Sequence, residues 1–237
     1  MASIFKSNSK TSQQALLAFL KRGKSSDQCK CIDYLYTPVE SKGCLGKKKG
    51  CFGSGDMTIE EYIAHIQTTI NNLHLKARAI EKIGLDESQI SEIPPVLLNS
   101  FVYRGDDVVT KTETTNEGLW KTVSNKYSVT WIFFSDTQIY TYTYIFDTIS
   151  DNSVELTRDV FYKDVTCIRT EHEVVEHIRS KRKGCLGKET FYHQNNEYDT
   201  LSISVPGDSY SFWCKTTETI EQSIQAAKAM IREKKDN

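Results

Sequence analysis

The stretch Y-S-V-T-W-I-F-F-S-D-T-Q-I-Y-T-Y-T-Y-I-F, from Tyr127 to Phe146, holds two runs of β-branched and aromatic residues separated by Ser135-Asp136-Thr137. That pattern predicts a hairpin in the middle of a sheet. In the first run Val129, Trp131 and Phe133 alternate with Ser128 and Thr130. In the second, Tyr140, Tyr142, Tyr144 and Phe146 alternate with Ile139, Thr141 and Thr143. Successive side chains of a strand point to opposite faces, so each set lies on one face, and Trp131 is expected in the core.

The same period of two extends on both sides. Strands are expected near 98–104, 108–113, 119–123, 128–134, 138–146, 154–162 and 165–170, separated by Gly105-Asp106, Asn116-Glu117-Gly118, Asn125 and Asp151-Asn152. Two more follow at 191–194 and 201–205, and Pro206-Gly207-Asp208-Ser209 turns the chain into a last strand at 210–215. Thr216 or Thr217 then caps a final helix, 217–234, with Ile220, Ile224, Ala227 and Ile231 on one stripe. Between the strands, 171–180 reads as a polar helix. It leads into a basic loop at 179–188 that carries Lys181, Arg182, Lys183 and Lys188.

Before residue 96 the pattern is helical. Thr11 or Ser12 caps a short helix to Leu20, followed by Lys21, Arg22 and Gly23. Thr58 and Glu61 form a capping box, and Ile63, Ile66, Ile70, Leu73, Ala77 and Ile80 follow at spacings of 3 and 4. They predict one continuous helix over 58–83, about 39 Å long, stopped by Gly84. A seam that narrow predicts packing against another helix, in the same chain or in a second copy. The chain thus divides into a helical region, 1–96, and a β domain with its closing helix, 97–237.

Residues 24–56, between those helices, are rich in Lys, Gly, Ser and Cys and show neither period, so a loop is expected. Cys29, Cys31, Cys44 and Cys51 fall within it. Four thiolates suit a structural zinc ion, although C-x-C-x12-C-x6-C departs from the paired C-x2-C knuckle, and free thiols are the alternative. Lys42-Gly43-Cys44-Leu45-Gly46 is repeated at Lys49-Gly50-Cys51-Phe52-Gly53 and at Lys183-Gly184-Cys185-Leu186-Gly187. Such turns suit contact with an anionic bilayer or acylation of the cysteine, or are simply soluble turns.

With 237 residues and 38% hydrophobic residues the chain can bury a sizeable core. Lys plus Arg (30) nearly balances Asp plus Glu (31), which gives no case for nucleic acid. Residues 1–56 carry ten basic against four acidic residues, a net of +6, while the whole chain is at −1 and the remainder therefore at −7. No stretch approaches the roughly 18 apolar residues of a membrane span, and a cytoplasmic location is expected. Seven cysteines in a reducing compartment predict thiols or metal ligands rather than disulfides.

A meander of antiparallel strands closed by one C-terminal amphipathic helix resembles the pleckstrin-homology-like superfamily over about residues 100–237. Phe161-Tyr162-Lys163-Asp164-Val165-Thr166-Cys167-Ile168 is similar to the aromatic-Lys-Asp turn between two strands of its bacterial members, and 210–231 to their final strand and helix. The resemblance implies an α+β fold, a bent antiparallel barrel plugged by the last helix, and a role in binding. The spaced basic residues of the phosphoinositide-binding members are not evident, since Arg104 and Lys111 are isolated.

No catalytic set emerges. His172-Glu173-Val174-Val175-Glu176-His177 is not H-E-x-x-H, because Glu176 stands where the second His must be. No Gly-rich phosphate loop and no G-x-S-x-G elbow is present. Cys214 near His193 reads as strand filler rather than as nucleophile and base. The function expected is a non-catalytic binding or assembly module working through protein contacts or self-association, with attachment to an anionic membrane surface as the alternative.

Overall fold

The computed structural model describes residues 10–37, 57–86, 93–182, 189–214 and 218–236, with side chains for all of these but 10, 11, 173–198, 219 and 234–236. The cap at Thr216 or Thr217 and most of the two Cys-containing basic loops lie outside the described residues. Among the described residues there are five α-helices: α1 (Lys10–Leu20), α2 (Ser26–Tyr36), α3 (Ile59–Asn72), α4 (Leu75–Ile83) and α5 (Glu218–Asp236). The strands are β1 (Val96–Phe101), β2 (Thr110–Thr114), β3 (Trp120–Ser124), β4 (Lys126–Phe134), β5 (Gln138–Asp147), β6 (Ser153–Phe161), β7 (Cys167–Arg182), β8 (Glu189–Val205) and β9 (Asp208–Cys214). The fold is α+β. Its strands form antiparallel sheets ordered β1-β4-β5-β6, β2-β3 and β7-β8-β9, none closed on itself.

Register explains why the four-stranded sheet is central. Tyr127 lies opposite Phe146, Val129 opposite Tyr144, Trp131 opposite Tyr142 and Phe133 opposite Tyr140, so one face is almost wholly aromatic. On the other face Ile132 meets Thr141, Phe134 meets Ile139, and the Thr130 and Thr143 hydroxyls are 2.9 Å apart in the interior. Both faces are covered. The aromatic face packs against α2, α3 and α4 through Cys31, Tyr34, Leu35, Ile59, Tyr62 and Ile66. The β-branched face shares a second core with β7–β9 and α5, where Ile203, Phe212, Ile224, Ala227 and Ile231 meet Ile132, Phe134 and Ile139. A strand buried on both faces gains from apolar residues at every position, which is why β4 and β5 carry so few charges.

Tyr62 anchors α3. Its ring stacks on Tyr34 with centroids 4.8 Å apart. Its hydroxyl donates to the Ser124 carbonyl at 2.7 Å and lies 2.8 Å from Thr148 Oγ1. Such a buried phenol is tolerated because both polar contacts are made. At the other end of the helical layer, Glu155 of β6 receives a two-pronged bond from Arg78 of α4, both arms at 2.9 Å, and a 2.6 Å bond from the Tyr142 hydroxyl. Lys82 adds an ion pair at 3.4 Å, and the Arg78 guanidinium lies 5.1 Å from the Tyr144 ring centre.

Several sequence expectations are corrected. The continuous helix over 58–83 is two helices, broken at Leu73-His74. Its seam does not meet a matching helix seam but lies on the sheet, whose aromatic face supplies the cover. Residues 26–36 are helix α2 rather than loop, begun by a complete capping box of Ser25 and Gln28. The segment 171–180 is strand, part of β7, and 189–205 is one strand where two were expected. Alternation was hidden there by charged and polar residues at successive positions of the sequence. Trp131 is half-buried rather than buried, at the margin of the aromatic face.

Two outcomes follow for stability. Tyr62→Phe keeps the ring but strands the Ser124 carbonyl, so urea unfolding should show a loss of about 1–3 kcal/mol with an unchanged slope. Glu155 is held far below the usual carboxylate value, at about 2, first by the Arg78 bonds and then by the Tyr142 hydroxyl. A depressed folded-state value means its contribution is complete above its ordinary value of 4.5 and is lost as pH falls towards 2. The difference in Tm between the wild type and Glu155→Gln should therefore shrink over that window.

Candidate binding cleft at the helix break

The break between α3 and α4 is written in the local sequence. Asn71 and Asn72 are poor helix formers, and the Leu73 N–H turns back to the Thr69 and Ile70 carbonyls. His74 then takes the left-handed conformation, φ 47° and ψ 41°, as the single non-glycine residue with positive φ among the described residues. That conformation costs a side-chain-bearing residue about 1–2 kcal/mol. Burial of Leu75 and Ala79 on the sheet side offsets it, drawing α4 down onto the aromatic face.

Where the two helices part, a cleft of about 440 Å³ opens over the sheet. Leu97, Val129 and Trp131 form its floor, and Ile70, Ala77 and Ile80 stand around it together with Asn71, His74 and Lys76. The volume falls within the roughly 300–1,000 Å³ range of ligand clefts. Lys76 Nζ lies 5.9 Å from the centre of the Trp131 ring, which in turn stacks on Phe133 at 6.2 Å. Among the described residues no carboxylate pairs with Lys76. Among the described residues the lining holds no carboxylate, thiol or hydroxyl, so the chemistry available is apolar contact, a cation, one imidazole and the Asn71 amide.

The six seam residues separate accordingly. Ile66 is buried in the core, and Ile63 and Leu73 are half-buried against it. Ile70 and Ile80 are half-buried and Ala77 exposed, and all three line the cleft. Trp131, His74 and Lys76 were missed as site residues. The signal for them was the Asn-Asn pair ahead of His74, which interrupts a helix without interrupting its apolar spacing.

The four-cysteine zinc set does not come together among the described residues. Cys29 and Cys31 sit two apart on α2, about 200° around the helix from one another. Cys31 is fully buried among apolar residues, and burial pushes its thiol up to about 12. Cys29 Sγ faces the Lys21 and Lys24 carbonyls at 3.9 and 4.0 Å. Cys44 and Cys51 lie outside the described residues, as do Lys183, Lys188 and all three Lys-Gly-Cys turns; Lys181 and Arg182 end β7 without described side chains. His172 belongs to β7 and lies 2.7 Å from Asp199 of β8. Cys214 is buried, and the His193 side chain lies outside the described residues.

A second, smaller cleft of about 300 Å³ lies between the start of β7 and α5, lined by Cys167, Ile168, Lys228, Ile231 and Arg232 among others.

No protein-family model matches the chain, and neither a curated protein nor a solved structure matches it.

Proposed function

We propose that the protein is a non-catalytic binding module that captures a segment of a partner protein in the cleft at the helix break. The observation that carries this reading is the fate of the seam. Ile70, Ala77 and Ile80 are spaced for burial, yet Ala77 is exposed and Ile70 and Ile80 are only half-buried against the core, around a half-buried Trp131. Aromatic residues in open apolar clefts are the usual anchors of protein contacts. Lys76, held over the indole with no carboxylate partner among the described residues, gives the site a charge preference. An apolar side chain with an acidic residue close by in sequence matches both features.

We further infer a pleckstrin-homology-like arrangement for residues 96–236. Its support is a four-stranded and a three-stranded antiparallel sheet that share one core, with α5 packed into that same core. In this reading the N-terminal helices are an addition that covers the outer face of the first sheet and creates the cleft.

A second reading, attachment to an anionic bilayer, is favoured by Phe19, 73% exposed on α1 shortly before Arg22 and Lys24. Co-sedimentation with vesicles of increasing anionic lipid content separates the two. Salt-sensitive retention lost on Phe19→Ser supports the membrane.

For the cleft, selection from a displayed peptide library against the wild-type protein should enrich an aliphatic or aromatic residue within a few positions of Asp or Glu. Ala77 is exposed, so Ala77→Trp should fill the cleft without unfolding the protein and weaken those peptides by tenfold or more, about 1.4 kcal/mol. Peptides without a shared pattern, or binding equally to Ala77→Trp, would overturn the proposal.

A further inference from the structure

The free edge of β6 is built to accept another strand, and we infer that it pairs with β6 of a second copy of this chain. In the order β1-β4-β5-β6 the last strand pairs with β5 alone among the described residues, over nine consecutive residue pairs without a bulge. Its outer N–H and C=O groups therefore form an open template. Three of the six large apolar residues most exposed in the described chain, Val154 at 50%, Leu156 at 39% and Phe161 at 46%, belong to this one strand.

Proteins ordinarily protect such an edge with lysine, proline, a bulge or a covering element. The segment Ser153–Phe161 holds no lysine and no proline. Its charges are Glu155, Arg158 and Asp159, and the first two are already engaged. Glu155 is tied to Arg78, Lys82 and Tyr142, and the Arg158 guanidinium lies 4.7 Å from the Tyr210 ring centre. Among the described residues, only the exposed Asp159 keeps a charge on this strand with no cation or side-chain hydrogen bond beside it. By contrast β1, the opposite edge strand of the sheet, runs beside β9.

Charge selects the register. Antiparallel pairing about a two-fold axis through Leu156 sets Leu156 beside the same residue of the second copy, Val154 beside Arg158, Glu155 beside Thr157 and Ser153 beside Asp159. Moving the axis one residue one way sets Glu155, with the Arg78 and Lys82 cations it holds, beside the same cluster of the second copy, where the cations repel; moving it the other way sets Leu156 beside Arg158 and loses the Leu156 pair. The favoured register covers Val154 and Leu156 in both copies and joins two four-stranded sheets into one of eight strands.

Native mass spectrometry and sedimentation equilibrium of the full chain test this. The wild type should show twice the 27.1 kDa chain mass, and Val154→Lys/Leu156→Lys, altered only at exposed positions, should show the single mass with an unchanged circular dichroism spectrum. Leu156→Cys should form a covalent dimer under an oxidant that leaves the wild type uncrosslinked, and Val154→Cys should not. A wild type that stays at the single-chain mass at its highest soluble concentration overturns the inference. So does a double-lysine variant that remains dimeric, or a Val154→Cys that crosslinks as readily as Leu156→Cys.

Discussion

The nine-pair register between β4 and β5 is the constraint on which the other elements depend. It sorts the residues of the hairpin into an aromatic face and a β-branched face, and neither face tolerates water. A sheet with two apolar faces needs two covers, and the chain supplies them from opposite ends. Residues before the first strand cover the aromatic face with α2, α3 and α4, and residues after β6 cover the other face with β7–β9 and α5. A one-residue slip of β4 on β5 would exchange the two sets and match neither cover.

Much of this was legible. The hairpin, its boundaries and the alternation over 96–161 follow directly from β-branched and aromatic periodicity, and α5 from its apolar stripe. The helical layer was harder. Tyr62 is fully buried and anchors α3, but a reading built on aliphatic spacing passes over it in favour of Ile63, which is only half-buried. Its burial depends on Ser124 and Thr148, more than sixty residues away, and no local pattern reports such partners. The length of β7 and β8 was hidden for the opposite reason. Charged and polar residues at successive positions erase the alternation, and the pairing of β7 with β8 and of β8 with β9 shows them to be strands.

The helix break shows a different limit. A spacing of 3 and 4 survives from Ile63 to Ile80 whether or not the backbone between them is continuous, because periodicity records sequence distance and not direction. Once His74 turns the chain, Leu75 and Ala79 are buried against the sheet while Ala77 stays exposed at the cleft. The same apolar count is thereby divided between a core and a cleft. Composition could not distinguish those two uses; the left-handed residue does.

Glu155 links the two surfaces. Its carboxylate draws Arg78 and Lys82 of α4 towards β6, and this fixes the far end of the helix whose near end borders the cleft. The geometry of the cleft thus rests on a contact made at the edge of the sheet. The same bonds occupy the charge that would otherwise stand guard on that edge, leaving Val154 and Leu156 exposed between neutralised neighbours. Holding α4 in place and leaving β6 open are therefore two results of one ion pair. An edge strand that spends its acidic residue internally has only Asp159 left to discourage another strand, and a single carboxylate beside Ser153 of a second copy meets no like charge.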